Sequence, residues 1–171
     1  MDEKGFENIT VNDIADGATI NRSTFYLHYT DKYDLLDKTV NESIQNILQL
    51  VEPQAHVVNG QPDYDLFLQN LKQILKVIEN DALLYKILLN DRETLGISRK
   101  FENALKDKLV LCFPIQPSVS LSLWTELIPS IYVATVRWWL NNEMKYSPDF
   151  LAKELAKFSQ SGSGYLLKSF E

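Results

Sequence analysis

Residues 5–36 read GFENITVNDIADGATINRSTFYLHYTDKYDLL, and this stretch decides the fold. Thr10 followed by Asp13 is a variant of the capping box, so a short helix is predicted to begin after Thr10 and to end near Gly17. Asn21 can cap a second short helix a few residues later. Two short helices joined by a tight turn have the geometry of a helix-turn-helix.

The first turn of the second helix carries side chains suited to contact a duplex. It exposes Arg22, Ser23 and Thr24, whereas Phe25 and Leu27 are predicted to hold the helix against its neighbours. A guanidinium fork and two hydroxyls at the start of a helix can reach base edges or phosphates in the major groove. These first three residues are therefore the candidates for sequence readout.

The same stretch resembles the TetR family of bacterial transcriptional regulators. The positions that carry the resemblance are Gly5-Phe6, Ile9-Thr10-Val11, Asp13-Ile14-Ala15, Ala18, Ser23-Thr24-Phe25-Tyr26, His28-Tyr29, Asp31-Lys32 and Leu35-Leu36. Many positions at fixed spacing make a specific signal, although they cover only this part of the chain. The remaining helices agree with the ligand-binding and dimerisation domain of the family in number and length.

The resemblance implies a role for each matching residue. In the family, the residues that match Tyr26, Tyr29 and Lys32 lie against the DNA backbone, with ordinary helix packing as the alternative for the two tyrosines. Thr10 is expected to cap a helix and to touch a phosphate. For His28 a structural or backbone-contacting role is expected, with a pH switch as the alternative. The predicted DNA-binding residues are Thr10, Arg22, Ser23, Thr24, Tyr26, His28, Tyr29 and Lys32.

The N-terminus departs from the family pattern. Only MDEK stands before Gly5, so the first helix of the three-helix DNA-binding unit has no counterpart. Residues 1–45 hold nine acidic and four basic residues, a net charge of −5, which is poor for a protein that must neutralise phosphates. Either the true start lies upstream and adds a basic helix, or DNA binding is weakened or lost. We favour an upstream start, because the side chains of residues 21–29 suit a duplex.

The rest of the chain reads as helices, which predicts an all-α fold. Apolar residues recur at steps of three and four in residues 36–51 and again beyond residue 63. Segment 52–63, EPQAHVVNGQPD, holds two prolines and an Asn-Gly pair, and is the predicted joint. The predicted domains are residues 1–51, a helix-turn-helix module with its connecting helix, and residues 52–171, a helical ligand-binding and dimerisation domain.

A helix predicted from Ser118 to about Asn142 is apolar over most of its circumference. One core cannot cover such an arc, so part of it is predicted to face a second subunit, together with a helix that begins at Pro148. A merely buried central helix is the alternative, and Pro129 predicts a kink or a break. The predicted interface residues are Leu127, Ile131, Trp139, Leu151, Leu155 and Phe158.

An effector site is predicted inside the bundle formed by residues 63–142. Large aromatic side chains from several helices leave irregular space, which suits a small apolar or aromatic molecule, with a filled core as the alternative. The predicted lining residues are Phe67, Leu71, Tyr85, Phe101, Trp124 and Tyr132. The runs Trp138-Trp139-Leu140 and Tyr146-Ser147-Pro148 also resemble a branch of TetR-like regulators named for dihydroxyacetone kinase operons, and they do not identify an effector.

Composition excludes several other classes of protein. One cysteine, Cys112, and two histidines, His28 and His56, cannot form an internal disulfide or a Cys/His zinc cage. No nucleophile elbow, P-loop or dinucleotide fingerprint is present, so neither an enzyme nor a cofactor is predicted. The net charge of −6 means that DNA binding must be local. Because the sequence shows no signal peptide and no membrane-spanning stretch, a soluble, cytoplasmic protein is expected.

The predicted function is a ligand-responsive transcriptional repressor. It is expected to bind a palindromic double-stranded DNA operator as a homodimer and to release it when the effector binds. The alternative is a dimeric protein-interaction or regulatory module of the same fold that has lost DNA binding.

Overall fold

The computed structural model describes residues 5–52, 57–58, 61–90, 96–112 and 119–161, and their fold is all-α, as predicted. The helices within these ranges are α1 (Val11–Gly17), α2 (Arg22–His28), α3 (Lys32–Leu48), α4 (Tyr64–Asn80), α5 (Ala82–Leu89), α6 (Ile97–Cys112), α7 (Val119–Asn141) and α8 (Pro148–Ser161). A 3-10 turn, Phe6–Asn8, precedes α1. Two short strands, β1 (Val57–Val58) and β2 (Gln61–Pro62), pair antiparallel within the predicted joint.

The chain divides into two compact units, residues 1–45 and residues 46–171. We call them the N-terminal unit and the C-terminal unit. The division falls inside α3, whereas the predicted domain boundary lies a few residues further along, between residues 51 and 52. The different functions assigned to the two parts of the chain remain predictions.

The N-terminal unit is built from α1, α2 and the first part of α3. Helix α1 packs against α2, and Ala15 and Phe25 are buried. On α3, Val40 and Ile44 are buried as well, and they belong to the apolar pattern that predicts this helix. Buried Ser43 donates its hydroxyl to the carbonyl of Thr39 at 2.8 Å, one turn earlier on the same helix.

The C-terminal unit is a helical bundle in which α4 packs along α8 while α7 packs against α5 and α6. Helix α4 buries Leu71, Leu75 and Ile78, and the centre of the bundle is aliphatic and aromatic. Its buried residues include Leu71, Leu75, Ile78, Tyr85, Leu88, Phe101, Val133, Val136, Trp139, Leu140, Leu151 and Leu155.

Helix α7 is continuous from Val119 to Asn141, and the buried Pro129 lies within it. The break that Pro129 allowed is therefore absent. Helix α7 ends in a left-handed turn, in which the Met144 N–H donates to the carbonyl of Trp139 at 3.0 Å and Glu143 takes a φ of 53°.

The connection from α7 to α8 is held by Trp139 and Ser147. The indole N–H of Trp139 donates to the carbonyl of Tyr146 at 2.7 Å, and the ring is completely buried. The hydroxyl of Ser147 accepts the N–H of Phe150 at 3.3 Å, and Pro148 is the first helical residue. The predicted start of this helix at Ser147-Pro148 is confirmed. No helix in the described ranges has the length and apolar character needed to span a membrane.

Two leucines on α5 offer a direct test of this core. Leu88 is buried and Leu83 is exposed. Leu88→Ala is expected to lower the free energy of unfolding by about 2–5 kcal/mol, because it removes buried methyl groups and leaves a cavity. Leu83→Ala is expected to change it by less than about 0.5 kcal/mol. Urea unfolding followed by circular dichroism measures both variants, and equal losses would contradict the packing of α5.

Candidate nucleic-acid interface

Two residues define the starts of the two short helices. The Thr10 hydroxyl donates to Asp13 Oδ2 at 2.6 Å and accepts the Asp13 N–H at 3.2 Å, and the Thr10 N–H donates to the same carboxylate at 2.8 Å. This is the predicted capping box, formed in full. Asn21 occupies the N-cap position of α2, as expected, but its side chain makes no capping hydrogen bond among the described residues.

The turn between α1 and α2 is a Schellman motif whose left-handed residue is a threonine. The Ile20 N–H donates to the carbonyl of Ala15 at 2.9 Å, and the Thr19 N–H donates to that of Asp16 at 3.1 Å. Thr19 takes a φ of 57°, a conformation that costs an L-residue about 1–2 kcal/mol. Gly17, the predicted stop, is the last helical residue, so the left-handed position is Thr19 instead.

Burial of Phe25 orients α2 in the N-terminal unit. Its side chain is 1% exposed, and its ring lies 5.4 Å from the rings of both Tyr26 and Tyr29. Leu27 is 79% exposed, so the prediction that it holds the helix against its neighbours is wrong. Residues two apart on an α-helix point about 200° apart, and burial of Phe25 therefore turns Leu27 outward.

Arg22 and Tyr26 form a pair on the outward face of α2. Arg22 Nη2 donates to the Tyr26 hydroxyl at 3.3 Å, and the guanidinium carbon lies 5.5 Å from the centre of the ring. The cation–π contact limits the rotamers of Arg22 and keeps its planar fork beside the helix start. Ser23 is also exposed on this face, and Thr24 is half-buried.

Lys32, the first residue of α3, is bound by main-chain carbonyls of its own unit. Its Nζ donates to the carbonyls of Phe6 at 3.0 Å, Glu7 at 2.7 Å and Ile9 at 3.0 Å. An ammonium group has three N–H donors, so these carbonyls occupy all of them. Lys32 therefore fastens residues 6–9 to the start of α3. Its contact with the DNA backbone stays a prediction.

Tyr33 adds a second link between the same segments. Its hydroxyl donates to Glu7 Oε2 at 3.0 Å, and its ring meets Phe6 edge-on at 5.3 Å. The hydrogen bond to Glu7 raises the pKa of Tyr33, and desolvation and the charges of Glu7 and Asp31 act in the same direction. The hydroxyl therefore keeps its proton at neutral pH.

Asp34 and Lys38 connect the end of α2 to α3. Asp34 Oδ2 accepts the Thr30 N–H at 2.9 Å and pairs with Lys38 Nζ at 3.1 Å. The same ammonium donates to the carbonyl of His28, the last residue of α2, at 3.0 Å and lies 5.1 Å from the centre of the Tyr29 ring. The Thr30 N–H and then the Lys38 ammonium hold the pKa of Asp34 below its usual value.

All eight predicted DNA-binding residues lie in the N-terminal unit, from the start of α1 through α2 to the start of α3. The sequence analysis did not predict that Leu27 is exposed or that Asp34 and Lys38 connect the end of α2 to α3. The i, i+4 spacing of Asp34 and Lys38 on one helix is a signal that can identify such a pair. The outward position of Leu27 follows from helix periodicity once Phe25 is assigned to the core.

Basic charge on this surface is limited. Among the described residues of the N-terminal unit, the basic side chains are Arg22, Lys32 and Lys38. The two lysines donate to carbonyls of the unit itself. Arg22 is consequently the cationic group that α2 presents on its outward face.

The predicted effector-site residues fall into two groups. Leu71, Tyr85 and Phe101 are buried, and the rings of Tyr85 and Phe101 meet edge-on at 6.3 Å. Burial, helped by the negative charge of Asp81, raises the pKa of Tyr85 to about 12. Phe67 and Tyr132 are half-buried, whereas Trp124 is 55% exposed and faces solvent in the subunit.

Tyr132 is engaged with α8, since its hydroxyl and that of Ser159 lie 2.8 Å apart. Burial raises the pKa of Tyr132 despite this hydrogen bond. Because Tyr132 meets α8 and Trp124 faces solvent, the six residues do not form one continuous lining in the subunit.

The six predicted dimer-interface residues fall into a buried group and an exposed group. Trp139, Leu151 and Leu155 are buried within the subunit, so they present almost no surface to a second copy. Leu127 and Phe158 are exposed and Ile131 is partly exposed. The assignment of the three buried residues to an interface is therefore corrected, because contacts inside the bundle cover them.

Two family models match separate parts of the chain. The model for bacterial regulatory proteins of the tetR family matches residues 1–39, and a TetR-type model described as a transcriptional regulator C-terminal region matches residues 65–161. Among solved structures, the dihydroxyacetone kinase operon activator DhaS aligns with a TM-score of 0.60 at 16% identity, covering 91% of this chain and 85% of that chain. No curated protein matches the chain.

Thr19→Gly is expected to stabilise the turn by about 0.5–1 kcal/mol, because glycine adopts positive φ without a Cβ penalty. Ala18→Gly is the matched control: Ala18 has a φ of −87°, so this change adds unfolded-state entropy without relieving strain and is expected to destabilise. Native-state hydrogen exchange of the α1 and α2 amides measures both. A loss of protection in Thr19→Gly would contradict the strained turn.

The link between Asp34 and Thr30 is expected to depend on pH. The folded pKa of Asp34 is lowered, so the link is present above the unfolded value of about 3.9 and is lost as the pH falls through the lower folded value. The Thr30 amide proton is expected to titrate in NMR spectra with a midpoint below about 3.9. Asp34→Asn should abolish this titration of the Thr30 amide proton, and the control Asp37→Asn should leave it unchanged. A midpoint above about 3.9 would contradict the hydrogen bond between the Thr30 N–H and Asp34.

Proposed function

The chain belongs to the TetR family of bacterial transcriptional regulators, and on this premise we propose that it is a homodimeric repressor released from DNA by a small effector. The observation that carries the proposal is the orientation of α2. Burial of Phe25 turns Ser23, Tyr26 and Leu27 outward, with Arg22 paired to Tyr26. A helix with a guanidinium and a hydroxyl at its exposed start suits the major groove.

A dimer would read two half-sites. Two recognition helices related by a two-fold axis contact half-sites about one helical turn, roughly 34 Å, apart, so the operator is expected to be palindromic. Seven of the eight predicted DNA-binding residues retain their roles in this proposal, whereas the contact of Lys32 with the DNA backbone is weakened because three carbonyls occupy its N–H donors. Lys38 holds the end of α2 against α3, and Lys32 holds residues 6–9 against the start of α3.

We assign the dimer contact to an exposed stripe on α7, which we call the α7 stripe. It consists of Leu127, Ile131, Ala134 and Trp138, whose spacing of four, three and four places them on one helix face. Leu127 is 40% and Trp138 is 49% exposed. Beyond the stripe, Tyr146 stacks on Trp138 at 6.2 Å and on Phe150 at 4.9 Å, which extends the apolar surface toward α8.

A contiguous apolar surface of this kind marks an interface in a soluble protein. A second copy of the chain is the occupant we propose, because a two-fold axis lets one stripe cover the same stripe of its partner. Exposed Phe158 on α8 belongs to the same proposal.

The effector is proposed to be an apolar or aromatic molecule that binds in the C-terminal unit near Leu71, Tyr85 and Phe101. With its pKa raised to about 12, Tyr85 remains a neutral hydrogen-bond donor at physiological pH. The ligand can displace the DNA-binding equilibrium only by its different affinities for two arrangements of the dimer.

Repression is the proposed sign of regulation. The solved structure of similar fold is named an activator, so a promoter-reporter assay must detect either direction.

The alternative is a dimeric module of the same fold that does not bind DNA. The net charge of −5 in residues 1–45 and the use of both lysines by carbonyls favour it. Selection from a random 40-base-pair library at low salt distinguishes the two functions. A palindromic consensus is expected if the protein binds DNA, and recovery of no enriched sequence would support the alternative.

Arg22→Ala tests whether α2 performs the readout. If Arg22 contacts a guanine, discrimination between the selected site and random DNA is expected to fall by about 1–3 kcal/mol. Fluorescence anisotropy at several salt concentrations measures both affinities. Arg99→Ala, on α6, is the control and should leave discrimination unchanged. Equal weakening on both DNAs in the Arg22 variant would assign Arg22 to phosphates rather than bases.

Leu127→Glu tests the dimer contact. A carboxylate on the α7 stripe would be buried without a partner in a dimer, so sedimentation velocity is expected to shift from dimer to monomer. Leu66→Glu is the matched control, because Leu66 on α4 is also 40% exposed and lies outside the stripe. Dimer mass retained by both variants would place the interface elsewhere.

A further inference from the structure

Leu27 is an aliphatic side chain on the face of α2 that points away from the core of the N-terminal unit. It is 79% exposed, and it lies one helical turn beyond Ser23 on the side opposite buried Phe25. If α2 enters a major groove with Phe25 against the protein, the Ser23–Leu27 line faces the floor of that groove. Leu27 therefore approaches base edges rather than remaining in water.

The chemistry of the groove restricts what Leu27 can contact. A leucine cannot hydrogen-bond to N7, O6, O4 or the exocyclic amines, and covering them without a partner costs free energy. The C5-methyl of thymine is the apolar group on the major-groove edge of the base pairs. Leu27 consequently favours a thymine at the position it covers.

The charges of the N-terminal unit increase the share of the binding free energy that this contact would supply. Lys32 and Lys38 donate to carbonyls of their own unit. Fewer lysine–phosphate contacts mean less sequence-independent affinity, so contacts to base edges carry a larger share of binding.

We propose that Leu27 is a specificity-determining residue that contacts a thymine methyl group in each half-site. The inference rests on the proposed DNA-binding function. One turn of helix separates Ser23 from Leu27 by about 5–6 Å along the axis, so the methyl is expected one or two base pairs from the base that Ser23 or Arg22 contacts.

Replacement of thymine by deoxyuridine tests the contact, because it removes the methyl and leaves the hydrogen-bonding edge intact. The probe is the palindromic duplex selected from the random library, with single thymines replaced in turn in one half-site. At one thymine the wild-type affinity is expected to fall about fourfold, the value for one buried methyl. Leu27→Ala should bind the thymine duplex more weakly and should no longer distinguish thymine from deoxyuridine there.

Leu83→Ala is the control, since Leu83 is an exposed leucine on α5 and should retain the full deoxyuridine effect. Circular dichroism establishes that Leu27→Ala is folded. A selected duplex that tolerates deoxyuridine at every thymine would overturn the role of Leu27 while the DNA-binding function stands. Sensitivity retained by Leu27→Ala would assign the methyl contact to another residue and would overturn it as well. No selected duplex at all would overturn the proposed function itself.

Discussion

Burial of Phe25 is the constraint on which the DNA-binding interpretation depends. With this ring in the core and in contact with the rings of Tyr26 and Tyr29, helix geometry places Ser23 and Leu27 on the opposite, exposed side of α2. The Schellman turn at Thr19 and the capping box at Thr10 then place the start of α2 at the surface. The proposed DNA-binding function of this unit therefore depends on which side chain of α2 is buried. It does not require an unusual side chain.

Lys32, which the family resemblance assigns to the DNA backbone, also has a structural role in this chain, and so does Lys38. Lys32 gathers three carbonyls at the start of α3, and Lys38 satisfies the last carbonyl of α2 while it pairs with Asp34. Cations at the C-terminal end of a helix stabilise it by complementing the free carbonyls there. Lys32 therefore ties residues 6–9 to the start of α3, and Lys38 ties the end of α2 to α3.

Periodicity, capping and turn chemistry were sufficient to predict the all-α fold, the capping box at Thr10 and the helix start at Pro148. These patterns did not predict which face of an apolar helix packs against the core and which face is exposed. Leu27 and Trp139 are both apolar, yet one is exposed and the other completely buried, because only the tertiary arrangement determines which face meets the core. Thr19 was missed because glycine is the usual residue at a left-handed position. The carbonyl partners of Lys32 lie more than twenty residues away in sequence, which local patterns do not connect.

Helix α2 is the element proposed to contact DNA. Titration of the ¹⁵N-labelled protein with the selected duplex, followed by TROSY NMR, tests this role. The largest amide shifts are expected in residues 21–29, with smaller shifts at residues 6–10 and 30–34 and little change in α4 and α5. Large shifts confined to residues 64–161, with α2 unaffected, would contradict it.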